Sequence, residues 1–219
     1  MTFFSAVGAV RPKIVSRHAH FHCRKMIKLL ISIVYDSGFG HTARVAEAVA
    51  AGIGEVREAE VKLIAVADGP MDWEALERSD AIIFGSPTYN GLISAKLKQF
   101  FEDSTKAAWS AQKWRNKIAA GFTNSGAQHG DKLNSLISIA LFAAQHGMIW
   151  VGLDMMPGNS SSTGSVDDLN RLGSWLGVMT QSNVDQAPND APIGSDLKTA
   201  QYLGRRVAET TRRFQPTRL

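Results

Sequence analysis

The stretch Ile31-Ser-Ile-Val-Tyr-Asp-Ser-Gly-Phe-Gly-His-Thr42 constrains the fold more than any other: an apolar strand-like run empties into a short loop, and a helix pattern begins at once. A loop so placed can hold a phosphate. Ser37 and Thr42 offer hydroxyl donors, Gly38 and Gly40 permit backbone angles that a side chain obstructs, and the first amides of the following helix lack intrahelical partners. Phe39 and His41 complete the loop, which contains no lysine or arginine. Binding would rely on hydrogen bonds and the helix dipole, which suits the terminal phosphate of a mononucleotide better than a triphosphate with magnesium. The Walker pattern requires Gly-Lys-Ser/Thr and the dinucleotide fingerprint requires G-x-G-x-x-G, and this loop has neither. The alternative is a strand-to-helix turn whose Ser and Gly serve geometry only.

Strand-like and helix-like segments then alternate. Lys28 to Tyr35 reads as a strand, Thr42 to Ile53 as a helix with Val45, Ala46, Val49 and Ile53 on one face, and Val61 to Val66 as a second strand. Ser79 to Gly85 gives a third strand, Lys96 to Ser104 a helix, Lys117 to Thr123 a fourth strand and Lys132 to His146 a long helix. Met148 to Leu153 is expected as the fifth strand and Asp196 to Arg213 as a closing amphipathic helix. Repeated βα units with near-continuous apolar strands imply an α/β architecture, a parallel sheet covered on both faces. Asp154 to Asn189, rich in Gly, Ser, Asn and Pro, is too long for an ordinary connection, and reads either as functional or as a solvated surface loop.

Charge narrows the partners. The chain has 24 lysines and arginines against 20 acids, but residues 1 to 25 hold five of the basics and no acid, so the rest carries 19 against 20. A nucleic-acid partner thus loses its main electrostatic support. The leader also holds Cys23, the only cysteine, and His18, His20 and His22. A disulfide framework and a thiolate cluster are excluded, and no metal site is expected. The leader reads as a basic extension, residues 1–25, dispensable for the fold, ahead of a single domain, residues 26–214. No run approaches the length of a membrane helix. A cytoplasmic protein is expected, although an Arg-rich, acid-free leader is also compatible with organelle import.

In an open parallel sheet a ligand sits outside the carboxyl ends of the strands. Two further loops meet the phosphate loop there, Gly85-Ser-Pro-Thr-Tyr-Asn-Gly91 and Thr123-Asn-Ser-Gly-Ala-Gln-His-Gly130. Pro87 fixes the exit of the first and Gly91 lets it turn, while Thr88, Tyr89 and Asn90 offer donors and one flat aromatic surface that can border a planar ring. In the second, Asn124 to Gly130 can present successive amides to carbonyl oxygens or to a reduced, anionic ring.

The segments Ser37-Gly-Phe-Gly-His-Thr42, Ser86-Pro-Thr-Tyr-Asn-Gly91, Asn124-Ser-Gly-Ala-Gln-His-Gly130 and His146-Gly147-Met148 resemble the flavin-binding segments of the flavodoxin superfamily. They are most similar to the tryptophan-repressor-binding-protein branch, whose members are FMN-dependent NAD(P)H:quinone oxidoreductases. The likeness runs from about Met26 to Phe214. It implies a flavodoxin-like three-layer fold, a five-stranded parallel sheet in the order 2-1-3-4-5, noncovalent FMN, NADH or NADPH as donor, and a quinone as acceptor. Ser37 to Thr42 would then bind the phosphate. Pro87, Thr88, Tyr89, Asn90 and Gly91 would line the isoalloxazine, and Asn124, Ser125, Gly126, Ala127, Gln128 and His129 would wrap its pyrimidine side. His146 would reach the site from a neighbouring turn. Phe39 falls where the family contacts the nicotinamide nucleotide, and Trp109 where a tryptophan flanks the acceptor pocket.

No side chain need act as a nucleophile, and the proton could come from solvent, Tyr89 or His129. A homodimer or homotetramer is implied, but the family's helical insertion between strands two and three is reduced here to Ala67–Arg78, which leaves the choice open. Trp109 could equally pack in the core, and His146 could simply end its helix. Two rival functions stand beside the enzyme. One is a flavodoxin-type single-electron carrier, a class that tends to be acidic where this core is nearly neutral, and the other is a non-catalytic flavodoxin-like binding module.

Overall fold

A computed structural model describes residues 28–215, so the basic leader lies outside the described part. The central strands are β1 (Leu29–Tyr35), β3 (Ala81–Tyr89) and β5 (Ile118–Ser125), and each is buried almost throughout. Apolar runs with no polar alternation demand cover on both faces, and the chain supplies it. Helices α1 (His41–Gly54) and α5 (Gly194–Phe214) cover one face, where Ile31, Ile33, Ala81, Ile83 and Phe122 meet Val45, Val49, Ile53, Leu203 and Val207. Helices α3 (Ala95–Ser104) and α4 (Lys132–Gln145) cover the other, where Val34, Ile82 and Phe84 meet Leu97, Phe100, Phe101, Ile139 and Phe142. The two-residue period of a strand sends neighbours such as Ile83 and Phe84 into opposite layers. Full burial of one such side chain contributes roughly 1.5–3 kcal/mol.

Strand β2 (Ala59–Ala65) forms one edge, pairing with β1 in parallel register from Leu29↔Ala59 to Tyr35↔Ala65. With β6 (Ile149–Trp150), the order is β2-β1-β3-β5-β6. Because β4 (Leu92–Ile93) is an antiparallel hairpin partner of β3, the parallel strands alone run 2-1-3-4-5, as the resemblance implies. Between β2 and β3 lies one short helix, α2 (Trp73–Arg78), capped by Asp72 Oδ1, which accepts from the Ala75 amide at 2.9 Å. Among the described residues no helix is long and apolar enough to cross a membrane.

The fifth strand departs from expectation. Met148–Leu153 is not one strand: only Ile149 and Trp150 pair with β5, opposite Ile118 and Ala119, and the edge resumes as β7 (Val178–Gln181), opposite Phe122 to Ser125. One edge position is thus filled in two pieces by segments on either side of an excursion. The outgoing and returning limbs pair with each other instead, the Leu153 amide donating to Trp175 O (2.9 Å) and Trp150 Nε1 to Leu176 O (2.9 Å). The excursion is anchored from within. Asn170 is buried and donates through Nδ2 to Met155 O (2.8 Å) and Ser174 O (3.0 Å), and the buried Arg171 guanidinium pairs with both oxygens of Asp196 on α5 (2.8 and 2.9 Å).

Candidate flavin site

Four segments converge at the carboxyl ends of the strands. The first is the loop after β1, tied to the sheet by the Asp36 amide, which donates to Gly85 O at 3.1 Å. Gly40 is the residue before α1 and has φ +88°, a left-handed conformation that a side chain disfavours. Crowding matters equally, since a Cβ there would lie 2.5 Å from Pro188 Cγ, and one on Gly38 would lie 2.6 Å from Tyr89 Oη. Ser37 Oγ accepts from the Ala43 amide (3.0 Å), and the Arg44 amide reaches Gly40 O (3.1 Å). The His41 and Thr42 amides are the two of the first turn that remain for a ligand.

In the second segment, Asn90 (φ +48°) and Gly91 (φ +81°) form the two-residue turn joining β3 to β4. Two consecutive positive φ angles are what an Asn-Gly hairpin turn supplies, so the dipeptide was the available signal for a hairpin that the apolar pattern does not reveal. Thr88 is buried, and its hydroxyl bonds to Thr123 Oγ1 (2.7 Å) and Ser135 Oγ (2.8 Å) rather than standing free. Tyr89 is half-exposed and meets Phe39 edge-on, with ring centroids 6.5 Å apart. Burial, and then the nearby Asp36 charge, raise its phenol above the usual tyrosine range, so it stays protonated at neutral pH.

The third segment, 124–130, is secured from behind. Asn124 Oδ1 accepts from Thr180 Oγ1 (2.8 Å) and Ser182 Oγ (3.1 Å), Gly126 O from Gln181 Nε2 (2.9 Å), and Ala127 O from Lys132 Nζ (2.7 Å). Ala127, Gln128 and His129 are exposed at its tip, where His129 Nδ1 accepts from the Asp131 amide (3.2 Å).

The fourth segment was not singled out residue by residue in the sequence. It follows β7 and runs across the loop after β1: the Ser182 amide donates to Ser125 O (3.1 Å), His41 Nε2 bonds Gln186 O (2.9 Å), and Pro188 packs on Gly40. Its only sequence signal is the Pro- and Asn-rich end of the excursion.

These segments enclose a cavity of about 320 Å³. Phe39, His41 and Thr42 line it from the first loop, Pro87, Thr88 and Tyr89 from the second, Asn124 to Gly126 from the third, and Ser182 and Val184 from the fourth. His146 and Trp109 do not reach it. They line a second, larger cavity of about 1030 Å³ between α3 and α4, whose rim also includes Tyr89 and Asn90. Trp109 ends a π-helical turn (Thr105–Trp109) after α3, is half-exposed, and donates through Nε1 to Gln145 O (3.0 Å), so it is a cavity wall and not a core residue. His146 is buried between Trp114 and Phe142.

The family described as NADPH-dependent FMN reductase matches residues 36–161. The chain is 39% identical over 180 residues to flavodoxin FldP of Pseudomonas aeruginosa, covering 80% of this chain and 93% of that one. It is 31% identical over 202 residues to an NAD(P)H dehydrogenase (quinone) of Aromatoleum aromaticum, covering 82% and 94%. Among solved structures, the flavodoxin, WrbA-like protein from Agrobacterium tumefaciens superposes with a TM-score of 0.66 at 36% identity, over 85% of this chain and 99% of that one.

Proposed function

The chain belongs to the NADPH-dependent FMN reductase family, and from that premise we propose that it is an NAD(P)H:quinone oxidoreductase working through FMN. NAD(P)H gives up a hydride and leaves as NAD(P)⁺, and the quinone takes up two electrons and two protons, one of them from solvent, to leave as a quinol. FMN, when bound, carries the electron pair between these half-reactions.

The residues fit that group. The phosphate loop offers two free helix-start amides and the Thr42 hydroxyl, with no cation that would call for a triphosphate. Asp36, at the head of the loop, is buried and its Oδ1 has no partner among the described residues. A buried acceptor of that kind needs a donor, and the ribityl hydroxyls of a mononucleotide supply donors where a bare phosphate does not. Residues 37 to 42 would hold the phosphate, Thr88 to Gly91 and Asn124 to His129 would border the ring, and the 182–188 segment lies across the loop at His41 and Gly40. Tyr89 keeps a proton at Oη beside the ring, and Phe39 forms the outer rim.

One observation carries the quinone reading: Tyr89 lines both cavities, so the smaller cavity adjoins a larger, mainly apolar one walled by Trp109. A two-substrate enzyme needs room beside its ring for a planar acceptor. A carrier that docks on a protein partner does not. The FldP relative, named a flavodoxin, favours the single-electron carrier as the second reading. Reductive titration of the FMN-loaded protein separates them, since a two-electron couple follows a slope of about 30 mV per decade and a one-electron couple about 59 mV. The enzyme also gives parallel double-reciprocal lines with NAD(P)H and quinone. Two separate 59 mV steps with no quinone turnover would establish the carrier, and a protein that takes up no FMN would establish a binding module.

A further inference from the structure

Lys132 is the first residue of α4 and is completely buried, yet it makes no ion pair among the described residues. Its Nζ donates instead to Ser125 Oγ (2.8 Å) and Ala127 O (2.7 Å), and the Ser125 hydroxyl also donates to Ala127 O (2.9 Å). The 125–130 turn therefore wraps around an ammonium group. Gly130 (φ +56°) permits this wrapping, because a Cβ there would lie 2.3 Å from Ser125 Oγ.

Three features make this cation expensive in the protein alone. It is out of water, it sits at a helix N-terminus whose dipole is already positive, and its two oxygen partners carry no net charge. Asp196, the nearby acid, is engaged by Arg171 and by the Gln181 amide (2.8 Å). Burial lowers the ammonium to about 8, Asp196 opposing and Arg171 adding to the effect, so it remains mostly charged at neutral pH. An anion on the far side of the loop would offset the unbalanced charge.

Loop orientation points the same way. A trans peptide holds its N–H antiparallel to its C=O. With Gly126 O engaged by Gln181 and Ala127 O engaged by Lys132, the amides of Ala127 and Gln128 point away from those two side chains. We propose that Lys132 is a positioning residue for the cofactor: it holds the 124–130 amides toward the pyrimidine edge, and its fixed charge favours the two-electron-reduced, anionic form over the oxidised one. The inference rests on FMN occupying the smaller cavity.

The test compares unsubstituted protein, Lys132→Met and Lys132→Arg by FMN fluorescence titration and by the midpoint potential of bound FMN. Lys132→Met is expected to weaken the reduced form about tenfold more than the oxidised form, which for a two-electron couple is a midpoint about 30 mV more negative. Lys132→Arg keeps the charge and should recover most of that shift. If Met at 132 prevents folding, Lys132→Gln, which retains a donor for Ala127 O without the charge, gives the same reading. A midpoint unchanged in Lys132→Met or Lys132→Gln, with both forms weakened alike, would reduce Lys132 to a loop clamp and overturn the proposal. Unsubstituted protein that takes up no FMN would instead overturn the functional reading beneath it.

Discussion

The His146 imidazole stacks on the Trp114 indole, with ring centroids 4.4 Å apart and planes 28° apart, at the base of the larger cavity. Its Nε2 lies 3.1 Å from Ser104 Oγ, whose hydrogen goes to Phe101 O (2.7 Å). The imidazole must therefore donate through Nε2, which leaves Nδ1 bare, and that atom is buried without a partner among the described residues. Burial lowers the imidazole from 6.5 to about 4.

A pH dependence of stability follows. Above pH 6.5 the imidazole is neutral in both states and nothing is lost. Between 6.5 and about 4 only the unfolded chain takes the proton, so stability falls as pH falls, by about 3 kcal/mol over the window at 1.36 kcal/mol per pKa unit. His146→Gln incurs a constant cost for a buried amide but cannot titrate. Urea denaturation should show the stability gap between the two proteins closing by that amount from pH 7.5 to pH 4, and a gap constant with pH would exclude the assignment.

Ser37 caps the Ala43 amide and Thr42 is buried at the start of α1. Replacing both with alanine should weaken FMN by about 2–4 kcal/mol, since hydrogen bonds to a charged phosphate are roughly twice as strong as neutral ones. The lost cap should also lower stability by about 1 kcal/mol. Flavin-fluorescence titration and a denaturation curve read the two effects separately, and unchanged affinity would move the phosphate elsewhere.

Trp109 walls the larger cavity and does not touch the smaller one. Trp109→Ala should raise KM for quinone by roughly tenfold, the loss of about 1.4 kcal/mol of apolar contact, while FMN affinity stays within about twofold. Equal losses in both would place Trp109 on the flavin itself.

Helices α1 and α5 meet backbone to backbone: a Cβ on Gly52 would lie 1.8 Å from Gln201 O and one on Gly204 would lie 1.9 Å from Val49 O. Those neighbours are backbone and cannot rotate aside. Gly204→Ala should therefore destabilise by about 3 kcal/mol, the upper end for an overpacked core. Surface Gly54, where an added Cβ meets nothing within 4 Å, should gain slightly on the same change through helix propensity. Similar midpoints for the two variants in urea would show that the helices can separate.

Local pattern was sufficient for much of this fold. The apolar runs around Ile31–Val34, Ala81–Phe84 and Ile118–Phe122 define buried parallel strands because a strand hidden on both faces needs no polar alternation, and Val45, Ala46, Val49 and Ile53 mark the face that α1 buries. The strand-to-helix turn that forms the candidate phosphate loop was likewise legible, since its hydroxyls, glycines and helix start are neighbours in the chain. Tertiary structure decided what depends on distant partners. The fifth strand looks continuous from Met148 to Leu153, but strand pairing divides its place between Ile149–Trp150 and Val178–Gln181. His41 meets Gln186 across 145 positions, Gly52 and Gly204 matter only because two helix backbones touch, and Lys132 marks only the start of a helix until a loop folds around it. Periodicity records which face of an element is buried, whereas the identity of the covering atoms is set only when the sheet and its helices pack together.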